Sequence, residues 1–231
     1  MPRDTLTADR IVRAAIELLD DEGLDGLNMR SLAKRLDSAA TAVYWHIKTK
    51  DDLVRLAGDA IWQEVELPDL DATDWRTAAT AHASSMHAML TRHPWLVQAF
   101  GSHLLHGAGQ ARNNDLSLAI YEKAGFVAAD ADRAAATVFT FVLGSALGPA
   151  AQVSLNRRLS KNGVDAERLL TEAMTRATET AMRFPRLRER LDTTAATGYA
   201  AAPDNTFVFG LQSLLDGFEA RLTAARAGRR E

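Results

Sequence analysis

The sequence lacks several features that would each define a class of protein. Its 231 residues include no cysteine, which excludes disulfide bonds and thiolate metal sites. The first residues do not show the basic and then apolar pattern of a signal peptide, and we find no run of about 18 apolar residues that would predict a membrane span. These absences predict a cytoplasmic protein, and we expect neither a cofactor nor a metal ion.

A strong net charge is also missing. The formal net charge is −3 and the pI is about 6.1, so no positive field covers the whole protein. A surface for a polyanion such as nucleic acid must therefore come from local clustering of basic residues. Apolar residues make up 47% of the chain, which is enough for a substantial core in one large domain, or in a small domain and a larger one.

Sequence patterns typical of β-strands are the next absence. Aromatic residues make up only 6% of the chain, and no convincing stretch alternates apolar and polar residues between turn signals. The chain is therefore predicted to be all-α. Within residues 1–66 we expect a helix from the N-cap Thr7 to about Glu22, ended by Gly23, a second after Asn28, a third capped by Ser38, and a fourth from Thr49 to about Glu66. Two short helices joined by a tight turn and braced on both sides are typical of a helix-turn-helix unit.

Longer helices are predicted after the Pro- and Asp-containing break at residues 66–75. We expect them near 73–92, 94–101, 110–124, 128–156, 165–183 and 204–226. The Pro-, Thr- and Ala-rich stretch 184–204 is expected to be poorly ordered in part, although Leu187 and Leu191 can dock it locally. The predicted architecture is a helix-turn-helix domain, residues 1–66, followed by a larger helical domain, residues 67–231.

Basic residues cluster in one segment of the first domain. Residues 28–50 carry five basic side chains and one acidic side chain, a local net charge of +4. In the third helix, Val43 and Ile47 lie one turn apart and are expected to pack inward. The residues left on the outer side are Ala40, Thr41, Tyr44 and Trp45.

These outward residues have the chemistry of a surface for a DNA groove. Small side chains at 40 and 41 allow close approach to base edges, and Tyr44 offers a hydroxyl group for a phosphate. Arg30 has the reach for a bidentate contact to guanine, and Lys48 and Lys50 can neutralise phosphates. The alternative interpretation is a solvated basic face, with Trp45 in the core of the four-helix unit.

Residues 27–57 resemble the DNA-binding domain of the tetracycline-repressor (TetR) family, in particular through the signature Tyr44, Trp45, His46, Lys48 and Lys50. Segments 92–100, 121–126, 141–148 and 207–222 resemble the C-terminal regulatory domain of the same family. The resemblance implies a homodimeric transcriptional regulator, usually a repressor, that binds a palindromic operator. It also implies that the operator is released when a small molecule binds the larger domain.

The family's DNA contacts carry over to matching positions only. Arg30 and Tyr44 would contact bases or backbone, Thr41 and Ala42 would lie in the recognition helix, and Lys50 would clamp a phosphate. His46 would lie near the DNA backbone or make a structural bond within the domain. The segment departs from its relatives at residues 36–41, and its alanines at 39, 40 and 42 predict little direct hydrogen-bond readout.

The last predicted helix has one broad apolar face. It is formed by Phe207, Leu211, Leu214, Leu215 and Phe218, and Gly210 permits close approach. In a monomer this face would cover the core. The resemblance implies instead that it is half of a four-helix dimer interface, with the helix at about 130–155 supplying the other half.

An effector pocket is expected between helices of the larger domain. Methionine and aromatic side chains suit an apolar, planar ligand with a few polar groups, although each of them is also an ordinary core residue. The candidates are Trp75, His82, Met86, Met89, Trp95, Phe100, His103, Phe139 and Phe141. Phe100 and Gly148 stand where the tetracycline repressors have a histidine and a glutamate for magnesium, so a magnesium–tetracycline complex is not the expected effector.

An enzyme is the rival class. The histidine pairs His82/His87 and His103/His106 have no carboxylate in a metal-binding pattern, and the chain has neither a Gly-x-Ser-x-Gly motif nor a thiol nucleophile. We therefore predict no enzymatic activity. Two alternatives to a repressor stay open, an activator and a ligand-independent regulator, because the sign of control depends on where the operator lies relative to the promoter.

Overall fold

A computed structural model describes residues 6–161, 165–192 and 206–228, and these residues form helices and no strand. The all-α prediction is confirmed. The helices in these ranges are α1 (Ala8–Gly26), α2 (Met29–Arg35), α3 (Ala40–His46), α4 (Lys50–Ile61), α5 (Trp75–Arg92), α6 (Pro94–Ala99), α7 (Ala108–Ala124), α8 (Ala129–Lys161), α9 (Ala166–Ala181), α10 (Pro185–Leu191) and α11 (Thr206–Ala227). A 3-10 helix, Trp62–Glu64, follows α4 directly.

The first four helices owe most of their bounds to local capping. The predicted N-caps Thr7, Asn28 and Thr49 each accept a hydrogen bond from the amide three residues further on, at 3.2, 2.9 and 2.9 Å. Gly23 has a φ of 72°, a value that favours glycine, and it interrupts α1 at the predicted place. These residues therefore fix the lengths of the helices that support the DNA-binding surface.

Ser38 does not cap α3, contrary to the prediction. The N-cap position is Ala39, which makes no side-chain hydrogen bond. The amide of Ser38 instead donates to the carbonyl oxygen of Ala33, at 3.0 Å, and Asp37 has a φ of 48°. Ser38 therefore belongs to the turn between α2 and α3, and the predicted N-cap was one residue too early in the chain.

The later helices lie within a few residues of their predicted positions, with α10 as the exception. It begins with Pro185, whose fixed φ and missing amide suit the first position of a helix. Its seven residues fall in the stretch 184–204 that was expected to be poorly ordered in part. Residues 193–204 of that stretch lie outside the described residues.

Helix α8 corrects the expectation that no segment has the composition of a membrane span. It has 33 residues, and an 18-residue window within it is long and apolar enough to cross a membrane by composition alone. Only 28% of that window is buried. The buried residues repeat every three or four positions, as Ala131, Ala134, Val138, Val142, Ala146 and Ala150. The opposite face of α8 is thus both apolar and uncovered by the described residues.

The chain divides into two compact units. The first comprises residues 1–154 and 210–231, and in it α1 packs against α2, α4 and α6, while α5 packs against α7. The second comprises residues 155–209 and contains α9 and α10. Because the first unit spans residue 66 without a break, the domain boundary at that residue stays a prediction.

Candidate DNA-binding surface and effector region

Helix α3 has the inward and outward faces that its sequence predicts. Val43 is fully buried and Ile47 is 2% exposed, whereas Tyr44 is 45% and Trp45 80% exposed. Thr41 is also exposed. The exposure of Trp45 rules out its alternative interpretation as a core residue. A large indole in water has no role in stabilising the fold, so this face is available for a partner.

Four residues of this face form a shallow groove, which we call the α3 groove. Thr41, Tyr44, Trp45 and Lys48 line it, and its volume is about 310 Å³. The ammonium group of Lys48 donates to the carbonyl oxygen of Tyr44 at 3.1 Å and lies 5.8 Å from the ring centroid of Trp45. The cation is thereby held beside the Trp45 ring, where a phosphate next to a base pair would meet both charge and apolar surface.

The other predicted DNA contacts lie on α2, α3 and α4. Arg30 is exposed in the first turn of α2, and Ala40 and Ala42 are half-buried in α3. Lys50, at the first position of α4, donates to the carbonyl oxygen of Leu24 at 2.7 Å. An ammonium group has three donors, so this bond leaves two for a phosphate.

One basic residue of the +4 segment is neutralised within the fold. Arg35 pairs with Asp21 and with Glu17 of α1. The hydrogen bond from Arg35 to Asp21 raises the pKa of Arg35 above its usual value; burial opposes this, and the charges of Asp21 and Glu17 add to it. Arg35 therefore anchors α2 to α1. His46 is exposed at the end of α3, and among the described residues its ring makes no hydrogen bond, which does not support the structural bond considered above.

One face of α4 is held by the segment between α6 and α7. Three residues of α4, each four positions after the last, make these contacts. The carboxylate of Asp51 lies 3.5 Å from His103 Nε2, and Arg55 Nη1 donates to the carbonyl oxygen of His106 at 3.5 Å. Asp59 Oδ1 accepts from the amide of Gln110 at 3.0 Å. The last bond caps the N-terminus of α7 with a carboxylate from α4. These contacts link α4, the helix that follows the DNA-binding surface, to the α6–α7 segment and to the first turn of α7.

The predicted effector residues are brought together only in part. Phe100 and Phe139 lie with ring centroids 5.6 Å apart, and each also contacts Trp62, at 6.4 and 6.2 Å. Trp62 was missed because the segment after α4 was assigned to the DNA-binding domain. Its signal was present, since Val54, Ile61 and Trp62 follow the i, i+7, i+8 spacing of one helix face.

His82 belongs to a buried polar cluster. Its Nε2 lies 3.2 Å from Asn113 Oδ1, and its Nδ1 lies 3.4 Å from the hydroxyl of Ser117. Asn113 Nδ2 donates to the carbonyl oxygens of Trp62 and Gly109, both at 3.0 Å. Burial lowers the pKa of His82, with a smaller opposing effect from Asn113. A neutral His82 thus has both ring nitrogens engaged within the fold.

The remaining candidates lie apart from the cluster of Trp62, Phe100 and Phe139. Met86 and Met89 are core residues of α5, and Trp95 is buried with its indole bonded to Asp20 at 2.9 Å. Trp75 is half-buried in the first turn of α5, and His103 faces α4. Phe141 packs on α11, where its ring atoms lie 2.6 Å from the place that a Cβ on Gly210 would take. No cluster that could hold a metal ion occurs among the described residues.

The predicted dimer face of α11 is turned largely inward. Leu211 and Leu215 are 1% and 0% exposed within one protomer, and Phe218 contacts Tyr121 and Phe126 edge to face at 5.8 and 5.7 Å. Phe207 and Leu214 are half-buried. The periodicity was correct, but Leu211 and Leu215 belong to the protomer's own core, and the dimer role of the half-buried residues stays a prediction. The exposed positions of the same helix include Val208, Phe209 and Gly217.

The N-terminal helices thus define a helix-turn-helix DNA-binding protein, and comparison with known proteins identifies its family. A family model for bacterial regulatory proteins of the tetR family matches residues 11–57, and a model for the tetracyclin repressor-like C-terminal domain matches residues 67–222. The chain belongs to the TetR family of transcriptional regulators. The prediction that it is not an enzyme is confirmed.

Individual relatives agree with this assignment. The transcriptional repressor DrrR1 of Streptomyces coeruleorubidus is 30% identical over 98% of this chain and 82% of its own length. A transcriptional regulator of Saccharopolyspora erythraea is 41% identical over 61% of this chain, a match that spans 59% of that regulator. Among solved structures, the TetR-family protein ActR of Streptomyces coelicolor, in complex with actinorhodin, is 25% identical with a TM-score of 0.73, covering 94% of this chain and 97% of ActR.

Proposed function

We propose that the protein is a homodimeric repressor that binds a palindromic operator in the cytoplasm and releases it when a small molecule binds the larger domain. The observation that carries the proposal is the α3 groove, which Tyr44 and Trp45 line and in which the ammonium group of Lys48 lies over the ring of Trp45, 80% exposed. In a helix-turn-helix protein this face enters the major groove. Arg30 of α2 and Lys50 of α4 are proposed to contact a guanine and a phosphate.

Sequence readout by this surface rests on shape and apolar contact. The side chains at 40, 41 and 42 are Ala, Thr and Ala, which offer methyl groups for thymine but few hydrogen-bonding groups. Trp45 and Tyr44 add apolar area and one hydroxyl. Specificity is then expected to come from thymine methyl groups and from the deformability of the DNA, with Arg30 as the main source of a direct base contact.

The dimer is proposed to form through the uncovered faces of α8 and α11. On α8 these are the positions of Gly144, Leu147 and Gly148, and on α11 those of Gly217 and Ala220. Leu147 is 54% exposed and, with the glycines beside it, forms an apolar stretch of the α8 surface. The small residues at these positions permit close approach of a second copy. A dimer also explains why the apolar α8 is only 28% buried within one protomer.

The effector is proposed to bind beside the cluster of Trp62, Phe100 and Phe139. Tilted and edge-to-face rings with centroids 5.6–6.4 Å apart suit a planar aromatic ligand. Actinorhodin, the ligand of the ActR complex, is the first compound to test. Release would follow through the contacts between α4 and the α6–α7 segment, and it requires a differential affinity of about 1–3 kcal/mol between the two states.

The test is a salt titration of binding to a DNA duplex enriched from a random library by the protein, and to a scrambled duplex. For the enriched duplex, log K should fall steeply against log salt, and the double variant Tyr44→Ala with Lys50→Ala should abolish specific binding and reduce the slope by about one. The control variant Arg183→Ala with Phe184→Ala removes an exposed cation and an exposed aromatic ring elsewhere. Equal weak binding of wild type to both duplexes would refute the proposal.

Repressor and activator are separated by a reporter. The enriched duplex is placed over the start of a promoter and, in a second reporter, upstream of it, and expression is measured with and without the protein. A repressor lowers expression from the first reporter, and actinorhodin or a related planar compound restores it. Activation from the upstream position, without repression in the first, would favour the activator instead.

A further inference from the structure

His93 is enclosed by two carboxylates from distant parts of the chain. It lies between α5 and α6 and is 4% exposed. Its Nδ1 is 2.7 Å from Asp20 Oδ1 of α1, and its Nε2 is 3.1 Å from Glu64 Oε1 of the 3-10 helix. His93 therefore links α1 and the 3-10 helix after α4 to the corner between α5 and α6.

The neighbouring groups complete the site. The indole Nε1 of Trp95 donates to the same Asp20 oxygen at 2.9 Å, and Arg92 binds the other carboxylate oxygen of Glu64. The charged groups that face the His93 ring are thus Asp20 from α1 and Glu64 from the 3-10 helix, with Arg92 behind Glu64 at the end of α5. Trp95, from α6, is neutral. Within this set of four charged side chains, the two anions face two cations when His93 is charged.

The hydrogen bonds determine the protonation state of the ring. An ionised carboxylate oxygen only accepts hydrogen bonds, so a ring with a carboxylate at each nitrogen must donate from both. Only the imidazolium form has two N–H groups. A neutral ring, itself buried, would present a nitrogen lone pair to one of the two carboxylates, which is repulsive.

Electrostatics agree with the geometry. Burial lowers the pKa of His93, but the hydrogen bond and charge of Asp20, together with those of Glu64, outweigh this effect and raise the pKa above its usual value. A raised pKa in the folded state means that the contribution to stability is complete below the unfolded value of about 6.5 and is lost as the pH rises through the folded value.

We propose that His93 is a positioning residue for operator binding, which as an imidazolium ties α1 and the end of α4 to the α5–α6 corner. The proposal rests on the DNA-binding function proposed above. α1 carries α2 through the Arg35 pairs, and α4 follows α3 directly, so the tie holds both helices of the helix-turn-helix unit from behind. When His93 loses its second ring proton, one of its two bonds is lost and the helix-turn-helix unit is held less firmly. Ordering that unit on DNA then costs part of the binding free energy.

Glu64→Gln keeps the two hydrogen bonds of His93 but removes the need for a charged ring. The glutamine amide donates to a neutral His93 Nε2, while its oxygen still accepts from Arg92, so both bonds persist without a proton on the second nitrogen. His93→Gln removes the tie. Glu66→Gln is the matched control, because it removes one negative charge from an exposed side chain two residues further on.

Binding to the enriched duplex is measured between about pH 6.5 and about pH 9 at constant ionic strength. Wild type and Glu66→Gln should lose about tenfold in affinity across this range, Glu64→Gln should stay flat, and His93→Gln should be weak throughout. His46, on the DNA-binding face, is present in every variant and cancels in the comparison. An equal loss in wild type and Glu64→Gln, or wild-type affinity of His93→Gln at about pH 6.5, would overturn the proposal.

A second measurement needs no DNA. The thermal midpoint of wild type should fall further than that of Glu64→Gln as the pH rises over the same range, since only wild type must release the proton. Parallel profiles would refute the charged tie itself. If the profiles differ but no duplex is ever enriched, the DNA-binding function fails and His93 is left with a structural role, so the two failures are told apart.

Discussion

The carboxylate of Asp59 is predicted to stabilise a helix other than its own. It lies in α4, and its Oδ1 accepts from the amide of Gln110, the third residue of α7, at 3.0 Å. Replacing an N-cap acceptor by alanine costs about 1 kcal/mol, and losing a negative charge at a helix N-terminus costs about 0.5 kcal/mol more. Asp59→Ala should therefore lose about 1.5 kcal/mol of the free energy of unfolding.

The assay is thermal unfolding followed by circular dichroism. In a protein of this size, about 1.5 kcal/mol corresponds to a fall of about 3–6 °C in the midpoint. Asp59→Asn keeps an acceptor oxygen and loses only the charge, so its midpoint should fall by about 1–2 °C. Asp115→Ala, an exposed carboxylate on α7, serves as the control and should change little.

The order of the unfolding midpoints separates the contribution of the hydrogen bond from that of the charge. If Asp59→Ala unfolds with the wild-type midpoint, the carboxylate does not cap α7 and the contact between α4 and α7 carries no free energy. If Asp59→Asn falls as far as Asp59→Ala, the charge and not the hydrogen bond is the main contribution. The close approach of Gly107, where a Cβ would lie 2.1 Å from the Asp59 carboxyl carbon, shows how little space this contact leaves.

Three further predictions concern the packing of the larger domain. Gly210→Ala should cost about 1–3 kcal/mol in chemical denaturation, because its Cβ would lie 2.6 Å from the ring of Phe141, and a Phe141→Leu background should relieve much of that loss. Asn113→Ala should lower the thermal midpoint by several degrees, since it removes the partner of His82 Nε2 and the side-chain donor to the carbonyl oxygens of Trp62 and Gly109, at a total cost of about 1–3 kcal/mol; an unchanged midpoint would mean that water replaces the amide. Because burial lowers the pKa of His82, the unfolded state takes up its proton first, so stability should fall as the pH drops below about 6.5, and less so in His82→Gln.

Sequence reasoning was most successful where one helix turn determines the result. The inward placing of Val43 and Ile47, the outward placing of Tyr44 and Trp45, and the Thr49 cap all depend on residues within four positions of each other. Such contacts are fixed by the geometry of the helix itself. Ser38 failed at the same scale because a serine next to a helix can serve the turn as well as the cap.

Contacts between distant residues were not accessible in this way. An apolar face on α11 was correctly predicted, but periodicity does not say whether the face is covered by the same chain, as Leu211 and Leu215 are, or by a second copy. The partners of His93 lie 73 and 29 positions away along the chain, so no local pattern marks it. Trp62 meets Phe100 and Phe139 only in the folded chain, 38 and 77 positions further on, so the sequence alone does not place the three rings together.

The uncovered face of α8 is a suitable place to measure dimer formation with a single introduced cysteine, because the chain contains no cysteine of its own. Among the described residues nothing lies within 4 Å of the place that a Cβ on Gly148 would take. Gly148→Cys therefore introduces one thiol per chain at a site with room for it. A crosslink between two chains under mild oxidation, or a spin label there with a measured distance distribution, would report how closely two copies of α8 meet and how that distance changes when DNA or a ligand is added.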